Sequence, residues 1–209
     1  MSHFLQTVAT HEFIKNEDLA MNYTFDYLVF IGRFQPFHLA HMQTIQIALK
    51  QSHYVILALG SAQNERNIKN PFTAEERERM ILSNFSAEDQ KRIKFVAVID
   101  VYNDEKWQKL VKSLVAGITQ PDDRIGLIGH FKDDSSYYLK FFSEWEMVEL
   151  ISLQDSMSAT PVREAYYRGD VIESAFPAGT REFLHKFKET PVYQQLQHKF
   201  LTQDKSNLI

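Results

Sequence analysis

Four short apolar runs, separated by stretches with helical patterns, place the strongest constraint on how this chain of 209 residues can fold. Strands that are apolar almost throughout are typical of a parallel sheet covered on both faces. Strands that alternate with helices imply right-handed crossovers in a doubly wound α/β sheet. The predicted strands contain residues 27–30, 54–59, 95–99 and 125–128, with a weaker candidate at 148–151.

The boundaries of the intervening helices also carry signals. Thr73 and Glu76 form a capping box, and Asp104 is a candidate cap for the next helix. Thr160-Pro161 is predicted to be a cap followed by proline at the first helical position. The predicted helices are residues 73–85, 104–117, 135–142 and 160–169, and the region after Gly179 with a break at Thr190-Pro191.

The organisation of the chain predicts one large domain. Residues 1–24 are polar and irregular and are predicted to be an N-terminal extension, followed by a domain at 25–190 and a helical tail at 191–209. The net charge of −4 argues against a general nucleic-acid binder. The absence of cysteine excludes disulfides and a thiol nucleophile. Without a run long enough for a transmembrane helix or a signal peptide, we expect a cytoplasmic protein that binds no membrane.

The junction after the first strand carries residue types that bind phosphate. Gly32 and Arg33 end the strand, and His38 and His41 follow at the start of a helix. A helix N-terminus offers unpaired N–H groups and a partial positive charge, and arginine binds phosphate bidentately. The histidines, three residues apart, can donate to one phosphate group. A zinc site would need a third ligand, so no metal ligand is assigned to the protein.

A second phosphate cradle is predicted near the C-terminus. Ser158 and Thr160 supply hydroxyl groups at a helix N-terminus, and Arg163 follows one turn later. In isolation, an ordinary capped helix with a solvated arginine is an equally good interpretation.

Together these segments resemble the signatures of nucleotidyltransferases, in particular nicotinamide mononucleotide adenylyltransferases of the archaeal type. Residues 32–41 resemble Gly-Arg-Phe-Gln-Pro-Phe-His-x-Gly-His, with Ala40 at the glycine position, and residues 158–163 resemble Ser-x-Thr-x-x-Arg. The resemblance extends from about Phe25 to Phe187 and includes the adenylyltransferase half of bifunctional enzymes with a Nudix hydrolase. No Nudix motif follows Arg163. The resemblance implies a Rossmann-like fold.

The resemblance also implies roles for individual residues. It makes His38, His41 and Arg163 the catalytic residues, with the histidines stabilising charge at the α-phosphorus of ATP. Residues 60–63 and 70–77 resemble the family pattern Gly-Ser-Ala-Gln…Asn-Pro-Phe-Thr-x-x-x-Arg, which implies that its arginine reaches the triphosphate. The implied ATP-binding residues are Gly32, Arg33, Phe34, Arg77, Gly129, Ser158 and Thr160.

A tryptophan after the third strand is the candidate for binding the acceptor. Composition alone favours a core role for Trp107, but the resemblance implies that it stacks on the nicotinamide ring. A flat pyridinium also gains cation–π attraction from such a face. Asn103 or Asp104 would then bind the carboxamide.

The implied reaction is transfer of AMP from ATP to nicotinamide mononucleotide, which forms NAD and pyrophosphate without a covalent intermediate. Mg²⁺, held mainly by phosphates and water, is the expected cofactor, and a homo-oligomer is expected because such enzymes are commonly oligomeric. One alternative is another phosphorylated acceptor, either nicotinic acid mononucleotide or phosphopantetheine. The other is a non-catalytic nucleotide sensor, against which the intact His38, His41 and Arg163 argue.

Overall fold

A computed structural model describes residues 23–130, 134–150 and 159–206. Its centre is a sheet of five parallel strands in the order β3-β2-β1-β4-β5. The predicted α/β fold with a doubly wound parallel sheet is confirmed. The strands are β1 (Phe25–Gly32), β2 (Ser52–Leu59), β3 (Ile93–Ala97), β4 (Ile125–Gly129) and β5 (Glu146–Glu149).

Helices cover both faces of this sheet, and among the described residues two 3-10 helices interrupt the series. None of the described helices is long and apolar enough to cross a membrane. The α-helices are α1 (Leu39–Gln51), α2 (Ala74–Leu82), α3 (Ala87–Arg92), α4 (Asp104–Ala116), α5 (Ala159–Tyr167), α6 (Ala178–Lys188) and α7 (Pro191–Ser206); the 3-10 helices are Asp134–Phe141 and Glu173–Ala175.

Alternating residues of β1 enter two separate apolar cores. Leu28 and Phe30 belong to the larger core, which α1, α2 and α5 to α7 cover. Val29 and Ile31 belong to the smaller core beneath α4 and the 3-10 helix Asp134–Phe141. This alternation follows from the two-residue period of a strand. It explains why β1 is apolar at nearly every position.

Several predicted boundaries are wrong. The cap of α4 is Asn103, whose side chain accepts the Lys106 N–H at 2.9 Å, so Asp104 is the first helical residue. α5 begins at Ala159, which places Thr160 inside the first turn. β5 begins at Glu146, two residues before the predicted run. The predicted break at Thr190-Pro191 is confirmed, because α6 ends at Lys188 and α7 begins at Pro191.

The C-terminal helix packs on the domain. Tyr193 and Phe200 of α7 belong to the larger core, and the Tyr193 hydroxyl donates to the Tyr166 carbonyl of α5 at 2.7 Å. The division between residues 190 and 191 therefore falls between two packed helices and stays a prediction.

Candidate active site

A cavity of about 240 Å³ opens at the carboxyl ends of β1 and β4. The strand order changes direction between these two strands, and ligands of open α/β sheets bind at such a switch point. Most residues predicted to bind ATP meet there. The predicted residues that line the cavity are Gly32, Arg33, Phe34, His38, His41, Gly129, Thr160 and Arg163.

The two histidines lie together at the N-terminus of α1. His38 precedes the helix and His41 lies in its first turn, with ring centroids 3.6 Å apart and an interplanar angle of 19°. The His38 N–H donates to His41 Nδ1 at 3.4 Å. The predicted proximity of the pair is confirmed. Ala40, at the family's glycine position, lines the same cavity and is buried.

Arg163 enters the cavity from α5 although only 6% of the residue is exposed. Its Nη1 donates to the Gln35 carbonyl at 2.9 Å, and its Nη2 donates to Thr160 Oγ1 at 3.4 Å. Burial, and secondarily the nearby Arg33, lower the pKa of Arg163. Arg33 is exposed, so one fixed and one accessible guanidinium face the same cavity. An anion between them would relieve their repulsion.

Gly32 is required by the protein's own packing. Phe34 has a φ of +51° and folds back so that a Cβ on residue 32 would lie 2.9 Å from its ring. The Phe34 ring then contacts His41 edge-on at a centroid distance of 4.8 Å. The Phe34 ring is therefore the reason that the structure provides for a glycine at position 32.

The structure places Arg77 behind the cavity. Its Nη1 donates to the carbonyls of Arg33 at 2.9 Å and Gly60 at 2.8 Å, so it joins the ends of β1 and β2. Burial lowers the pKa of Arg77 to about 10. Arg77 is absent from the described lining of the cavity. Its contact with the triphosphate therefore stays a prediction, and its geometry favours a structural role.

The predicted acceptor residues lie at the start of α4, outside the cavity lining. Trp107 is half-buried, and its ring packs edge-on against Tyr138 at a centroid distance of 5.6 Å. Tyr138 itself lines the cavity, so one side chain separates Trp107 from it. Asn103 and Asp104 are exposed, and Asp104 Oδ1 accepts a hydrogen bond from the Tyr137 hydroxyl at 3.1 Å.

Sequence reasoning did not assign several of the residues that line the cavity, among them His130 and Gln35. His130 lines the cavity at the end of β4. Gln35 lines the cavity as well, and its side-chain amide pairs with both backbone groups of Phe72. Gln35 Nε2 donates to the Phe72 carbonyl at 2.8 Å, and the Phe72 N–H donates to Gln35 Oε1 at 3.0 Å. The available signal was their position, since His130 directly follows β4 and Gln35 lies three residues after β1. Ser158 lies outside the described residues.

The donors around the cavity are cationic and neutral side chains. Among the described residues, no three His, Asp or Glu side chains are grouped closely enough to hold a metal ion. Such a donor set fits an ion that arrives bound to phosphate oxygens rather than one held by carboxylates.

Comparisons with known proteins agree with this geometry. Residues 29–97 match the family model described as Cytidylyltransferase-like. The chain is 70% identical over 187 residues to the nicotinamide/nicotinic acid mononucleotide adenylyltransferase of Acinetobacter baylyi, covering 90% of this chain and all of that protein. It is 28% identical over 161 residues to the nicotinamide-nucleotide adenylyltransferase of Thermococcus onnurineus, covering 77% of this chain and 82% of that protein.

A solved structure shares the fold. The bifunctional NMN adenylyltransferase/ADP ribose pyrophosphatase from Francisella tularensis, complexed with AMP and a manganese ion, superposes with a TM-score of 0.77 at 34% identity. The match covers 88% of this chain and 56% of that protein, so this chain spans about half of the bifunctional enzyme.

Fold and site together define a Rossmann-like nucleotidyltransferase with a nucleotide cavity at the switch point of its sheet. Within that class, the chain belongs to the nicotinamide/nicotinic acid mononucleotide adenylyltransferase family. The prediction of an adenylyltransferase of NAD biosynthesis is confirmed.

Proposed function

We propose that this enzyme transfers AMP from ATP to nicotinamide mononucleotide, forming NAD and pyrophosphate. The observation that carries the proposal is the cavity at the switch point, where two arginines face a stacked histidine pair at a helix N-terminus. That arrangement concentrates positive charge and hydrogen-bond donors where a polyphosphate would lie.

The mechanism that fits these residues is direct displacement at the α-phosphorus. An oxygen of the acceptor's 5′-phosphate forms the new P–O bond as the bond to the β-phosphate breaks, and pyrophosphate leaves. The attacking phosphate is already ionised, so no general base is needed. His38 and His41 would donate to the α-phosphate oxygens as charge develops on them. Arg33, Arg163 and Thr160 would hold the β- and γ-phosphates, with Ser158 completing the cradle.

Mg²⁺ is the proposed cofactor, bound through the phosphates and water. When bound, the ion would supply neutralisation of the charge on the departing pyrophosphate. The cationic cavity residues would orient the phosphates around it.

For the acceptor, we propose that Trp107 stacks on the pyridine ring and that Asn103 or Asp104 binds its carboxamide. Nicotinic acid mononucleotide is a second candidate acceptor, because the relative with 70% identity is named for both mononucleotides.

Product identification tests the proposal. The purified chain is incubated with ATP, Mg²⁺ and one acceptor at a time: nicotinamide mononucleotide, nicotinic acid mononucleotide or phosphopantetheine. We expect NAD and stoichiometric pyrophosphate from the first. Failure of both pyridine mononucleotides to yield a dinucleotide would refute the proposal, and ATP binding without turnover would identify a sensor. Trapping of an adenylylated protein would exclude direct transfer.

A further inference from the structure

The ladder between β2 and β3 continues beyond the ends of the two strands. The Val98 N–H donates to the Leu59 carbonyl at 2.9 Å, and the Ala62 N–H donates to the Val98 carbonyl at 3.0 Å. Ser61, which lies between Leu59 and Ala62, has a φ of +53°, a left-handed conformation that turns the chain after β2. Asp100 is the next residue along the β3 side whose backbone groups need partners.

Gln63 supplies these partners with its side chain. The Asp100 N–H donates to Gln63 Oε1 at 3.0 Å, and Gln63 Nε2 donates to the Asp100 carbonyl at 3.3 Å. The primary amide thus takes the place of a peptide group and extends the ladder by one step. The Asp100 carboxylate is held as well, by Ser61 Oγ at 3.2 Å and Asn64 Nδ2 at 3.1 Å.

Asp100 begins the short turn that leads to α4. Tyr102 in this turn has a φ of +46° and is 95% exposed, so its own side chain buries almost nothing that could stabilise the turn. Asn103 then caps α4, and Trp107 follows in its first turns. Among the described contacts, the hydrogen bonds to Asp100 are therefore the ones that hold the start of this turn in place.

We propose that Gln63 is a positioning residue for the acceptor site. By pairing with the backbone of Asp100, it fixes the turn that ends at Asn103 and thereby the start of α4, which carries Trp107. The inference rests on the proposed function, because it assumes that this turn binds the mononucleotide. It gives the glutamine a role in acceptor affinity without contact with the acceptor. Loss of the pairing would free the turn and raise the KM for the acceptor while leaving the ATP cavity unchanged.

The test replaces Gln63 with methionine, which retains length and volume but removes both hydrogen bonds. We expect Gln63→Met to raise the KM for nicotinamide mononucleotide about tenfold and to change the KM for ATP less than about twofold. Gln90→Met is the matched control. Gln90 lies in α3, away from the turn, and its side-chain amide also donates to backbone carbonyls, those of Leu82 and Phe85. We expect the control to leave both KM values unchanged.

Ligand binding is also measured without catalysis. The chain has two tryptophans, so in a Trp145→Phe background the fluorescence reports on Trp107. Saturable quenching by the mononucleotide gives its Kd, which we expect Gln63→Met to raise by the same factor as KM. If the parent shows neither quenching nor turnover with either pyridine mononucleotide, the proposed acceptor site is wrong, and the inference about Gln63 is overturned with it.

The inference alone is overturned if the parent binds and reacts but Gln63→Met retains the parental Kd and KM for the acceptor. Equal increases in the KM values for ATP and acceptor would also overturn it, because they would indicate a general structural effect.

Discussion

The proposed phosphate end and the proposed acceptor end of the site are built differently. Arg163 is 6% exposed and His38 is 4% exposed. Arg163 lies in α5, and His38 is the residue that caps α1. At the acceptor end, Trp107 is only half-buried, Asn103 is exposed, and Tyr102 is 95% exposed. At the proposed phosphate end, Arg163 and His38 are buried before substrate arrives, whereas the proposed acceptor end consists of a turn and a helix start near the surface.

This difference matches the chemistry proposed for each end. Donors that stabilise transition-state charge are most effective when fixed in advance, since they then need no reorganisation during the reaction. Burial, and secondarily the neighbouring Arg33, lower the pKa of Arg163, so a cation at this position is disfavoured until an anion binds. Recognition of a flat ring needs mainly an apolar face, which a half-buried tryptophan supplies.

The largest expected effect comes from removing a donor at the phosphate end. We expect His41→Ala to lower kcat by at least about a hundredfold, because one prearranged donor to the α-phosphate is lost. Steady-state kinetics measure this, with His198→Ala on the exposed face of α7 as the control. Near-normal turnover of His41→Ala would contradict the proposed role of His41 as a donor to the α-phosphate, and with it the difference proposed between the two ends of the site.

A smaller effect, confined to one substrate, is expected at the acceptor end. Trp107→Ala should raise the KM for nicotinamide mononucleotide by about tenfold, through loss of ring stacking worth about 1.4 kcal/mol, with little change in the KM for ATP. Trp107→Phe retains an aromatic face and should have a weaker effect. Unchanged KM values in Trp107→Ala would disprove the acceptor assignment.

The smallest effect is expected for a substitution of Arg77. This substitution distinguishes a structural role of the side chain from a phosphate-binding role. Arg77→Lys retains the charge but cannot reproduce the bonds to the carbonyls of Arg33, Gly60 and Thr73. We expect the free energy of unfolding to fall by about 1 kcal/mol, seen as a melting temperature about 2–4 °C lower. Unchanged stability with a raised KM for ATP would instead favour the triphosphate contact.

The sequence predicted best what depends on local pattern. The strands of the sheet follow from short apolar runs, and the histidine pair follows from the spacing on a helix. Residue types at a strand end and at two helix starts, together with the family resemblance, identified eight residues that line the cavity. The pairing of Gln35 with Phe72 spans 37 residues, and that of Gln63 with Asp100 also spans 37, so no local periodicity reports either. The burial of Arg77 likewise depends on where three separate segments meet.

The contact between Gly32 and the Phe34 ring has a consequence for the interpretation of variants. The constraint on residue 32 comes from the protein's own aromatic ring, so it persists whatever nucleotide the cavity binds. In a variant that had lost the proposed roles of Arg33 and His41, a Cβ at residue 32 would still meet the folded-back Phe34 ring. A substitution at residue 32 is therefore expected to report on the packing of the fold, whereas substitutions of the charged residues around it report on the proposed phosphate binding.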